Sequence, residues 1–179
     1  MSEGSIAPEG KVRFYDGVAV VRRGDAVLIC YQKAARLART RWLFDVIDAF
    51  ARAAPEGLLT LLIVLEGSEP PDGPTREENA KRLKALGPAV RRLVTVPVGD
   101  AFKTAIVRAL MRALNLALGH SKHRVVSDTI EDGLTQLLEG ASPRTPKRQQ
   151  LKLDIEALYD ALGGPEGSLE SARPRVVGG

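Results

Sequence analysis

Five residues stand where an α/β chain places its chemistry: Ser68, Asp72 and Thr75 in a polar loop that runs into a helix, and Gly99 and Asp100 at the end of a Val-rich run. In an open α/β sheet, the loops after the carboxyl ends of strands are where ligands and partners meet the fold. Thr75-Arg76-Glu77-Glu78 has the form of a capping box, with Thr75 as the cap and Glu78 reaching back to it. A phosphate on Thr75 would sit at the positive end of the helix dipole and change the charge offered to a partner. Glu66 and Glu69 add to Asp72 an acidic mouth beside Thr75, for which a polar, Pro-stiffened surface loop is the plainer account.

A second group of residues is basic. Arg22, Arg23, Lys33, Arg36, Arg39 and Arg41 are interrupted by one acid, Asp25, and read either as a patch for an acidic protein, nucleic acid or anionic lipid, or as a solvated face. Lys147, Arg148 and Lys152 invite the same two readings. The single cysteine, Cys30, lies in the apolar run Ala26 to Tyr31 and reads as a small core hydrophobe, not as a nucleophile. His120 and His123 lie in a loop with no clear third ligand, so no metal site is expected. The chain has no Gly-x-Gly-x-x-Gly, no phosphate-cradling Gly-Lys-Ser/Thr and no Gly-x-Ser-x-Gly, which leaves nucleotide enzymes and serine hydrolases without their usual motifs. No cofactor is expected.

The elements that must position these groups follow from pattern. At 179 residues the chain suits one well-buried core. Its net charge of +4 invites nucleic acid, but stacking aromatics are few and recognition motifs absent, so nucleic acid stays a minority reading. The start lacks the features of a secretory signal and no apolar run spans a bilayer, so a cytoplasmic protein is expected.

Residues 1–11 read as a disordered lead. Val12 to Tyr15, Val18 to Val21 and Ala26 to Tyr31 read as strands separated by the turn dipeptides Asp16-Gly17 and Gly24-Asp25. A helix over Ala34 to Ala54 carries Trp42, Leu43, Val46, Ile47 and Phe50 on one face, with Arg41/Asp45 and Asp48/Arg52 paired on another. Three further cycles follow: strand Leu58 to Leu65 and a helix from Thr75 to Leu86; strand Leu93 to Val98 and a helix from Ala101 to Leu118; strand Arg124 to Val126 and a helix from Thr129 to Leu138, for whose cap Asp128 and Glu131 are well placed. The domain is thus expected over 12–139, a Pro-rich basic linker over 140–150, an amphipathic helix over 151–163 with Ile155, Leu158, Tyr159 and Leu162 in one stripe, and a disordered tail over 164–179.

Two stretches carry a resemblance. Arg92 to Asp100, a strand ending in Val-Gly-Asp before a helix, and Val125 to Leu134, a last strand with an acid-capped helix, look like their counterparts in anti-sigma-factor antagonists. The order of elements, a β-hairpin and then α-β-α-β-α-β-α in a mixed sheet plus a C-terminal amphipathic helix, resembles the STAS fold over roughly residues 12–139. It also resembles the SpoIIAA-like proteins related in fold to CRAL-TRIO lipid-transfer domains. The STAS phosphoacceptor lies in an Asp-Ser-Ser-Gly-like run; here that place holds Asp72-Gly73-Pro74-Thr75, which departs from the pattern and keeps a hydroxyl.

The resemblance implies a non-enzymatic regulatory module that binds another protein, or alternatively a domain for a lipid or small apolar ligand. An enzyme of unrecognised type is the remaining reading. The oligomeric state is not legible.

Overall fold

The computed structural model describes residues 9–33, 35–65, 71–99, 108 and 123–163. Its centre is a mixed sheet of six strands in chain order: β1 (Arg13–Tyr15), β2 (Val18–Arg23), β3 (Ala26–Tyr31), β4 (Leu58–Val64), β5 (Val90–Pro97) and β6 (Arg124–Val126). The first three form an antiparallel meander and the last four run parallel. The meander follows from its turns. Asp16 and Gly17 both take positive φ, +41° and +83°, as a two-residue type I′ turn requires, and Gly24 takes +58° at the first corner of the second turn.

Four helices are described: α1 (Leu37–Arg52), α2 (Gly73–Leu86), α3 (Ile130–Leu138) and α4 (Arg148–Ala161). The period-2 alternation of the strands feeds two apolar layers. Val18, Val20, Val27, Ile29 and Leu58 face Leu43, Phe44, Ile47 and Phe50 of α1. Ala19, Val21, Leu28, Cys30, Leu59, Leu61, Ile63, Val94 and Val96 face Leu134 and Leu137 of α3 and Leu151, Ile155, Leu158 and Tyr159 of α4. At Gly133 of α3 a Cβ would come within 2.6 Å of Val96, so only glycine allows α3 to sit this close to β5.

The last helix is therefore part of the core, and the folded body runs through Leu162, beyond residue 139. The stretch expected as an open linker is fastened to the sheet. Ser142 and Thr145 both donate their hydroxyls to Asp25, at 2.7 and 3.1 Å, and the Arg144 carbonyl lies against Gly24, where a Cβ would come within 2.0 Å of its oxygen.

Three local expectations are corrected. The cap of α2 is Asp72, whose side chain accepts the Thr75 N–H at 2.9 Å; Thr75 lies inside the first turn and is buried. Pro74 explains this, because proline favours the first helical positions and places the cap just before it. The cap of α3 is Thr129, which accepts the Asp132 N–H at 3.0 Å. Asp45 and Asp48 of α1 do not pair along their own helix but reach Arg82 of α2, at 2.8 and 3.0 Å. The expected helix over 101–118, apart from Arg108, lies outside the described residues, as do 1–8 of the lead and the tail from 164.

Candidate functional site

The parallel register aligns Tyr31, Val64 and Pro97 at one end of the sheet, and the chain leaves each of these strands there. Around this rim stand Asp16 of the first turn, Lys33 and Arg36 before α1, Asp72 at the start of α2, and Gly99 after β5 with φ at +127°. Arg36 and Asp72 are the N-cap residues of their helices and pair across the rim at 3.7 Å, both about half exposed. Asp16 holds Lys33 at 3.2 Å and the Arg39 Nε at 2.9 Å. Arg108 meets Asp128, just beyond β6, at 3.0 Å.

Asp72 is held below the usual carboxylate range, first by the Thr75 hydroxyl, then by the Thr75 N–H, with Arg36 and Arg76 adding to the effect. Asp16 is lowered likewise, chiefly by its hydrogen bond from Arg39 and then by that from Lys33. Thr75 itself is fully buried. A modifying enzyme therefore reaches its hydroxyl only if the start of α2 moves. Of the five residues singled out in the sequence, the structure puts Asp72, Thr75 and Gly99 at one end of the sheet. Ser68 and Asp100 lie outside the described residues, with Glu66 and Glu69.

The basic set does not form one patch. Arg22 and Arg23 lie at the opposite end of the sheet from Lys33, Arg36 and Arg39, because the β2–β3 hairpin runs its full length between them. Each cation also has an acid: Glu9 for Arg22, Asp154 for Arg23, Asp16 for Lys33 and Arg39, Asp72 for Arg36 and Glu78 for Arg41. Lys152 and Arg148 both pair with Glu131 and so tie α4 to α3.

The opposite end holds a feature that sequence reasoning missed. Asp25, at 2% exposure, takes donors from Arg91 of β5 and from Ser142 and Thr145, so one carboxylate joins two distant segments to its own turn. A polar crevice of about 150 Å³ opens beside it, lined by Glu9, Arg22, Ala54, Glu56 and Arg144 among others. The signal was an acid following a turn glycine in an otherwise basic stretch, which reads locally as turn chemistry only.

Cys30 is fully buried, and burial pushes its thiol up, as it pushes the Tyr31 phenol up to about 12. The thiol is a core group. His123 sits in the turn before β6 and His120 lies outside the described residues. Among the described residues no helix is long and apolar enough to cross a membrane. Compared with protein-family models, with curated proteins and with solved structures, the chain matches none.

Proposed function

We propose that this protein is a non-enzymatic regulatory module of STAS-like type, which works in the cytoplasm by binding another protein through the rim at the carboxyl ends of β3, β4 and β5. The observation that carries the reading is the half-exposed Arg36–Asp72 pair, which sets opposite charges at the starts of two helices on one surface. Such a surface orients a charged partner and fixes its register. Beside it, Tyr15 and Trp42 stack with ring centres 5.5 Å apart, and Phe14 is 52% exposed. Tyr, Trp and Arg are the types that carry most binding energy at interfaces.

The ionisation pattern fits binding better than catalysis. Among the described residues, the carboxylates shifted downward, Asp16, Asp72 and Glu131, and the guanidiniums shifted upward, Arg23 and Arg82, are ion-paired, while the thiol and phenols shifted upward, Cys30, Tyr31 and Tyr159, are sealed in the core. Neither kind exchanges a proton with a substrate in a cleft. The test is affinity capture from native lysate on the full chain, followed by rebinding of the purified partner. A defined protein that rebinds one-to-one supports the reading, and recovery of nothing beyond a control resin counts against it.

One observation favours a second reading, a small apolar ligand. Leu62 and Val64, on the α1 face of the central strand β4, are only partly buried, whereas Leu58 and Thr60 on the same face are sealed. A ligand would appear as extra mass in native compared with denaturing mass spectrometry.

A further inference from the structure

The helix α2 is held differently from the others. It buries only Thr75 and Leu86 among its 14 residues, whereas α1 buries six and α4 five. Among the described helices its packing partner is α1, and the seam between them is charged: Arg36–Asp72 at 3.7 Å, Arg41–Glu78 at 3.8 Å, and Arg82 to Asp45 and Asp48 at 2.8 and 3.0 Å. Arg82 also holds Glu78 of its own helix at 3.2 Å, so one guanidinium joins three carboxylates on two helices. At the far end, Leu86 is buried and Leu83 and Ala89 pack on the same apolar layer, which ties the helix down just where Gly87-Pro88 breaks it.

An element with few buried apolar contacts opens at lower free energy than the core around it. Pairs at the protein surface are individually weak and are screened by salt. We infer that α2 is a charge-latched gate, which swings from α1 about its Leu86-Gly87-Pro88 end while the sheet and the other described helices stay folded. Opening carries Asp72 off Arg36 and brings the buried Thr75 hydroxyl to the surface. The inference rests on the packing of α2 alone, so it stands or falls separately from the reading of the rim.

Hydrogen exchange on the full chain tests it. Amides of α2 should exchange at least about tenfold faster than those of α1 and α4. Raising NaCl from low concentration to about 1 M, where the screening length is about 3 Å, should speed α2 by roughly threefold to tenfold and leave α4 unchanged. Arg82→Gln should speed α2 at low salt and blunt its salt response. Exchange of α2 in step with α1 and α4 would overturn the gate. Fast exchange of α2 that ignores both salt and Arg82→Gln would overturn the latch. Should the variant fail to fold, the salt series on the wild-type chain decides alone.

Discussion

The Arg23 guanidinium grips the Asp154 carboxylate through two contacts of 2.7 Å each, joining the end of β2 to α4 across 131 positions of the chain. Asp154 is 4% exposed, while the Arg23 side chain is about one-third exposed. Removing the acid leaves a partly buried cation without its main partner. Asp154→Ala should therefore cost about 1–3 kcal/mol, seen as a lower urea midpoint at unchanged slope. An unchanged midpoint would mean that the apolar face of α4 holds the helix by itself.

Asp25 performs a similar task at the base of the sheet. Arg144, Lys147 and Arg148 are tryptic sites in a stretch whose composition reads as an open linker, but whose hydroxyls close on Asp25. The wild-type chain should resist trypsin there, and Asp25→Ala should be cut within that stretch first. Equal cleavage of both would show that the hydroxyl contacts do not hold the loop.

How much of this was legible in sequence depends on the range of each cause. The meander was legible because Asp16-Gly17 and Gly24-Asp25 act locally through backbone φ. The stripe of Ile155, Leu158, Tyr159 and Leu162 was legible because 3.6-residue periodicity marks a buried face wherever the helix docks. The Asp25 clasp was not, because the Ser142 hydroxyl it accepts comes from 117 positions away. The supposed basic patch failed for the same reason: neighbours in sequence part company when a hairpin places them at opposite ends of a sheet. Of the rim, the loop positions were legible and the pairing of Arg36 with Asp72 was not.

Thr75 is the sharpest local case, since its side chain is buried beside the Asp72 carboxylate that caps its helix. Thr75→Asp puts a second carboxylate against the first in a buried place and should cost about 2–4 kcal/mol. Thr75→Val keeps the shape and removes a buried hydroxyl that no geometric hydrogen bond among the described residues holds, so it should change stability by less than about 1 kcal/mol. Thermal melts of the two variants check this order. Equal stability would mean that the residue is open to solvent in the resting state.

Acid should loosen the joint between α3 and α4. Glu131 is held below its ordinary value, first by the hydrogen bond from Lys152, with Arg148 adding to it. The unfolded chain then binds a proton more readily, so this contribution is present above the unfolded Glu value near pH 4.5 and is lost as pH falls through the lower folded value. Glu131→Gln should flatten the fall in stability over that window. Parallel acid curves for the two chains would remove Glu131 from the account.

The central claim, that a protein partner docks on the rim, is tested most directly by calorimetric titration of the purified partner into three chains. These are the wild type, Arg36→Glu/Asp72→Asn, in which Asn keeps the α2 cap, and Arg144→Glu at the opposite end of the sheet. The account predicts a loss of about tenfold or more in affinity for the rim variant, at near-wild-type melting temperature, and wild-type affinity for Arg144→Glu. Equal affinity for all three chains would contradict it.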